Sequence, residues 1–190
     1  MPKRILSLCD FSGSWSEPYR QAGYDVFRVD IKTTGDLRLL KFEQLGQVHG
    51  ILAAPPCTHF AVSGARWWPE KGEAALLEGL SVVDACLRIV AVTRPRWWVL
   101  ENPVGRLRDY LGPPLHTFNP CDYGDPYTKR TQLWGQFTPP LPLFVGEDRS
   151  VEPTEGSKMH RLYGGKSERT KTMRSMTPAG FANAFFTANP

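Results

Sequence analysis

Four short apolar runs, each stopped by a turn or by a reactive side chain, limit this chain more than any other feature. Residues 4–8 run into a Ser/Gly-rich turn at 11–16. Residues 24–31 (YDVFRVDI) show partial period-two alternation, residues 50–54 are apolar and end at Pro55 and Pro56, and residues 96–100 form the fourth run. Runs of this length, bounded by Gly, Pro and Ser, read as strands. Between them, residues 17–23 predict a short helix closed by glycine. Residues 70–92 predict the longest helix, with Leu76, Leu77, Leu80, Val83, Leu87 and Val90 on one face. This β-α-β-β-α-β rhythm predicts an open α/β sheet. Ligands of such sheets sit at the carboxyl ends of the strands, which here are Cys9 to Gly13, Asp30, Ala54 to Cys57, and Glu101. Polar and reactive groups are therefore expected to collect at one rim.

Composition narrows the class. The 190 residues fit one domain, and 41% hydrophobic against 22% charged residues excludes bulk disorder. The net charge of +4 is compatible with a nucleic-acid partner without establishing one. No apolar run approaches the roughly 18 residues of a membrane span. The first residues, too soon interrupted by Asp10, do not read as a signal peptide. Cys9, Cys57, Cys86 and Cys121 form no CxxC pair, which argues against a disulfide framework or zinc ribbon and suits a reducing cytoplasm. His49, His59, His116 and His160 show no metal-ligand spacing, so no metal is expected. Residues 139–153 are Pro-rich. Residues 158–174 carry six Lys/Arg and one Glu, a solvated surface or a phosphate-contacting loop. Residues 181–188 predict a closing amphipathic helix.

Two motifs carry chemistry. In Ala-Ala-Pro-Pro-Cys, Cys57 follows a buried strand and two prolines on a stiff turn, where a thiolate could act as nucleophile; taken alone, a small buried thiol is the commoner fate of a cysteine. In Trp-Val-Leu-Glu-Asn-Pro, Glu101 follows a buried strand, where poor hydration favours the protonated acid; taken alone it could cap the strand end.

With the first turn, the Asp30 acid and Gly35-Asp36, these motifs fall in one order. The stretches LCDFSGSWSEPYRQAGYDVFRVDI, TGDL, GILAAPPCTHFAVSGAR, WWVLENPVGRL and FNPCDYGDPYTKRTQLWGQF resemble the DNA cytosine-5 methyltransferase family over residues 4–137, with a weaker echo at 173–189. The resemblance implies a Rossmann-like S-adenosylmethionine-dependent methyltransferase sheet with helices on both faces. It implies Cys57 as the thiolate that adds to C6 of cytosine and makes C5 nucleophilic, and Glu101 as the acid that holds and protonates N3. The base must leave the duplex to reach such a pocket. The donor implied is S-adenosylmethionine. Phe11 and Gly13 match the turn beside its methionine part, Asp30 the acid on the ribose, and Asp36 the acid facing the adenine amine. Ile31 and Leu37 are apolar neighbours of the ring, and Pro56 lies between cofactor and base. Arg130 matches the arginine contacting the cytosine, with Lys129 able to take the role instead.

The chain departs from the family in places. Trp15 stands where a second glycine is frequent and is expected to close or stack on the cofactor pocket; Pro103 replaces a usual Val and Thr58 a frequent Gln. Only about 38 residues separate Gly135 from Arg174, where the family inserts a recognition domain. The implied form is minimal: a catalytic core at 1–137, a short basic recognition loop at 138–172 and a helix returning to the core at 173–190. Lys129, Lys158, Arg161, Lys166, Arg169 and Lys171 are expected at DNA phosphates, which position rather than specify. Trp67 and Trp68 could fill the gap left by a flipped base or simply pack. The expectation is a monomeric, phage-like DNA methyltransferase of the cytoplasm with short or relaxed specificity and no membrane partner. An RNA or free-nucleotide methyltransferase and a non-catalytic nucleic-acid-binding relic are the alternatives.

Overall fold

Alternation along the strands sorts the apolar side chains onto two faces, and each face makes its own core. The computed structural model describes residues 2–143, 153–157 and 167–190, apart from the side chains of Glu168 and Lys171. The strands are β1 (Arg4–Leu8), β2 (Asp25–Val29), β3 (Val48–Ala53), β4 (Trp97–Pro103), β5 (His116–Phe118) and β6 (Thr131–Gln136). The helices are α1 (Glu17–Gln21), α2 (Trp68–Thr93), α3 (Arg108–Leu111), α4 (Glu168–Ser175) and α5 (Ala179–Ala188). The strands form one sheet in the order β2-β1-β3-β4-β6-β5. The first four are mutually parallel; β6 runs antiparallel to both β4 and β5.

One core holds Leu6, Ile51, Leu100 and Trp134 beneath α2, which contributes Val83, Cys86 and Ile89. Their immediate neighbours Ile5, Leu52, Val99 and Leu133 point to the opposite face, where Trp15, Tyr19, Phe181 and Phe185 cover them. The open α/β sheet with helices on both faces is therefore present, on strands close to those expected. Four differences follow from tertiary context. The α2 face is rotated: Leu77 is 64% exposed, while Cys86 and Ile89 are buried. The helix is also kinked at Gly72, which is not helical. Strand β4 continues through Glu101 and Asn102, because β6 pairs with it as far as Pro103↔Thr131. Finally, β5, β6 and α4 had no counterpart in the periodic reading, and α4 crosses the expected boundary at 172/173.

The aromatic core ties the C-terminus to the first turn. Phe181 stacks on Phe118 with centroids 3.8 Å apart and meets Trp15 at 6.0 Å. The Tyr19 hydroxyl donates to the Asn189 carbonyl at 2.8 Å. Phe181→Ala is expected to cost about 3–5 kcal/mol and to lower the Tm by roughly 10 °C in a chain of this size. Thermal and denaturant melts check this; a change under about 1 kcal/mol would mean that the site collapses around the missing ring.

Candidate active site

The carboxyl ends of β1 to β4 form one rim, and the antiparallel β6 returns its own first residues to the same rim. Four groups of side chains meet there.

The first is the turn after β1. Asp10 is buried and accepts from Ser7 Oγ at 2.8 Å, Ser16 Oγ at 3.0 Å, Ser12 Oγ at 3.3 Å and Gly13 N at 2.8 Å. One carboxylate thus collects four donors and holds the turn in shape. Gly13 adopts φ +72, and a Cβ there would overlap the Arg28 guanidinium. Phe11 is 41% exposed, and Lys32 Nζ lies 4.9 Å from its ring centroid.

The second group follows β2. Asp30 Oδ1 accepts from Lys32 N at 2.9 Å, and the adjacent Ile31 is 70% exposed. Two exposed apolar side chains, Phe11 and Ile31, next to a partly exposed carboxylate suit a ligand with a flat ring and hydroxyl groups. Three other expected cofactor contacts are engaged within the protein itself. The ring of Trp15 is fully buried against Phe181 and Phe185 and has no face to offer a ligand. Leu37 is likewise buried in the α2-side core. Asp36 caps the 3-10 turn Leu37–Leu39, and both its oxygens accept from Arg38. Those bonds hold its carboxyl below the usual carboxylate range.

The third group is the loop after β3 that carries Cys57. Pro56 is exposed, and Cys57 opens the short 3-10 turn Cys57–His59. The loop is fastened from behind by the segment after β4. Val62 N donates to the Val104 carbonyl at 2.9 Å, Arg106 N to the Phe60 carbonyl at 3.0 Å, and Arg106 Nε to the His59 carbonyl at 2.8 Å. A Cβ at Gly105 would overlap the Phe60 carbonyl, so this close approach requires glycine. The Arg106 guanidinium also lies 4.4 Å over the Trp68 ring. Trp68 is therefore pinned to the scaffold, while Trp67 remains exposed.

The fourth group is the charged pair behind the cysteine. Asn102 Nδ2 donates to the Pro55 carbonyl at 3.0 Å, joining β4 to the Cys57 loop. Lys129 Nζ lies 3.6 Å from Glu101 Oε1, with the two side chains only 7% and 13% exposed. Burial pushes the Cys57 thiol up; the Lys129 charge opposes this, Glu101 adds to it, and Arg174 also favours the thiolate. The two basic candidates differ in burial. Arg130 is exposed, whereas Lys129 is buried beside Glu101. Adjacent residues of an extended chain point to opposite sides, so only one of the two can face the pocket.

Of the basic stretch, Arg169 is exposed on α4 and Lys171 lies on the same helix; Lys158, Arg161 and Lys166 fall outside the described residues. Asp10, Asn102, Arg106 and Arg174 were missed as contributors to the site. Asp10 had a signal, four serines and a glycine within six residues of an acid at a strand end. The other three depend on contacts distant in sequence. Among the described residues, no group of three or more His, Cys, Asp or Glu could hold a metal, and no helix is long and apolar enough to cross a membrane.

No family model matches the chain. The "Probable DNA (cytosine-5)-methyltransferase" of Frog virus 3 (isolate Goorha) is 28% identical, over 90% of this chain and 92% of that protein. Among solved structures, a candidate DNA modification methyltransferase encoded within a prophage (E. coli) superposes with a TM-score of 0.51 at 18% identity, a likeness of fold. That match covers 70% of this chain but 46% of the solved one, so the chain spans less than half of that protein's length. Motif order, the sheet that carries it and the viral relative agree in one respect: the chain is similar to DNA cytosine-5 methyltransferases.

Proposed function

We propose that the chain transfers a methyl group to C5 of a flipped cytosine in DNA, with Cys57 as the nucleophile. The observation that carries this reading is the grouping of Cys57, Glu101 and Lys129 behind one rim, with Asn102 tying the acid strand to the nucleophile loop. Cytosine C5 is weakly nucleophilic. Attack of the Cys57 thiolate on C6 places a covalent bond there and shifts electron density to C5, while Glu101 delivers a proton to N3. S-adenosylmethionine, when bound, supplies the methyl group from its sulfonium. Loss of the C5 proton and departure of the thiolate then restore the aromatic ring.

Phe11, Gly13, Asp30 and Ile31 are the residues that would hold the cofactor, since they line the rim beside the Asp10-braced turn. Lys129 serves this chemistry in two ways. Its charge favours the thiolate form of Cys57, and its approach to Glu101 fixes the carboxyl that meets the base. Exposed Arg130 and Arg169 suit backbone phosphates instead.

The test offers labelled S-adenosylmethionine with duplex DNA, single-stranded DNA, tRNA and dCMP in parallel, and reads digested products by mass spectrometry. 5-Methylcytosine in duplex DNA supports the reading. Label confined to RNA or dCMP overturns the substrate and keeps the chemistry. Cofactor binding without label in any substrate would favour a binding role.

A further inference from the structure

The space over Gly13, expected to admit the cofactor's methionine part, is taken by a side chain of the protein itself. Arg28, on the exposed face of β2, lays its guanidinium where a Gly13 Cβ would stand. Among the described residues, Arg28 makes no hydrogen bond or ion pair. Its nearest acids bond elsewhere, although the Arg28 charge also helps to lower the Glu17 carboxyl. Asp10 is saturated by Ser7, Ser12, Ser16 and Gly13. Glu17 accepts from Arg20 Nε at 2.8 Å and from Gln21 Nε2 at 2.9 Å, bonds that hold its carboxyl down at about 2. Asp25 on the same strand is paired with Arg4 at 2.7 Å. A guanidinium is planar, always charged and matched to a carboxylate fork. Here it stands at the candidate cofactor turn with no hydrogen bond to a carboxylate among the described residues.

The geometry points to Arg28 as the binding residue for the carboxylate at the amino-acid end of the cofactor. This rests on the proposed function, because it takes the turn after β1 to be the cofactor site. Arg28 and Asp30 lie two apart on β2 and its end, and alternation puts them on one side of the strand. The same strand then offers a cation for the carboxylate and an anion for the ribose hydroxyls. Glycine at position 13 thereby makes room for the arginine as well as for the ligand.

The test compares two ligands that differ in the amino-acid end, S-adenosylhomocysteine and 5′-methylthioadenosine, by calorimetric titration of the whole protein. Arg28→Gln is expected to weaken S-adenosylhomocysteine binding by roughly 10- to 100-fold and to change 5′-methylthioadenosine binding by less than about twofold. Arg28→Lys is expected to recover part of the loss, since it restores charge without the fork. An exposed, unpaired side chain should leave the melting temperature unchanged, which separates a ligand effect from a fold effect. Equal losses for both ligands, or no loss for either, would overturn the assignment to Arg28 alone. A wild-type protein that binds neither compound would overturn it together with the cofactor reading.

Discussion

Replacing Cys57 with alanine is expected to lower methyl transfer by on the order of 10³-fold or more, to the detection limit, while S-adenosylhomocysteine still binds. The loss is large because Cys57 is the thiol that feels both Lys129 and Glu101; Cys86 and Cys121 are buried in the fold, and Cys9, at the end of β1, packs against the α2-side core. Binding should survive because Cys57 lies on the turn after β3, whereas the candidate cofactor residues follow β1 and β2. The variant should also fold, since the loop is held by main-chain bonds to Val104 and Arg106 and not by the sulfur. A 5-fluorocytosine duplex supplies a second readout. The wild-type protein should form a covalent adduct stable to denaturation, and the variant none. Measurable turnover by Cys57→Ala would remove the covalent mechanism.

Lys129→Met is expected to reduce turnover at pH 7 by roughly 10²-fold or more, in line with losing a preorganised charge in a pocket. The sign of the pH effect follows from the cysteine. Burial pushes its thiol up, Lys129 and Arg174 pull it down, and Glu101 pushes it up. Without Lys129 the thiol titrates at higher pH, less thiolate is present near neutrality, and the rising limb of the rate profile moves to alkaline pH. Stability should fall as well, on the order of 3 kcal/mol, because a buried carboxylate loses its counter-charge. Lys129→Arg keeps the charge and should return most of the stability and move the profile back. Arg130→Ala, on an exposed side chain, should cost at most a few-fold, mainly in apparent DNA affinity at raised salt. A larger catalytic loss for Arg130 than for Lys129 would reinstate the assignment made from the motif alone.

The pair at 129 and 130 shows why part of the site could not be read from the chain. Both residues are basic, and a motif departing by one position from the pattern it resembles does not say which side of the strand each faces. That choice is made by β6, whose antiparallel pairing to β4 sets Leu133 opposite Glu101 and Thr131 opposite Pro103. The preceding residue pair is thereby turned so that Lys129 enters the pocket and Arg130 leaves it. Strand β6 carries Gln132 and Trp134 where a clean alternation would help, and it gave no strong periodic signal of its own. Trp15 is a similar case. Its place in the turn suggested the cofactor pocket, but α5 returns from the far end of the chain and covers it with Phe181 and Phe185.

What the sequence determined by itself was local. Short apolar runs marked β1 to β4, Gly and Pro marked their ends, and the spacing of Cys57, Glu101 and Asp30 put reactive groups at one rim. Those signals survive because strand alternation and turn chemistry act over a few residues and need no partner to be legible. The tertiary structure alone decided which lysine meets Glu101, which arginine stands over Gly13, and which tryptophan is core. Each of those outcomes depends on a contact between segments far apart in the chain, where burial of charge and close packing, rather than local preference, select the side chain that fits.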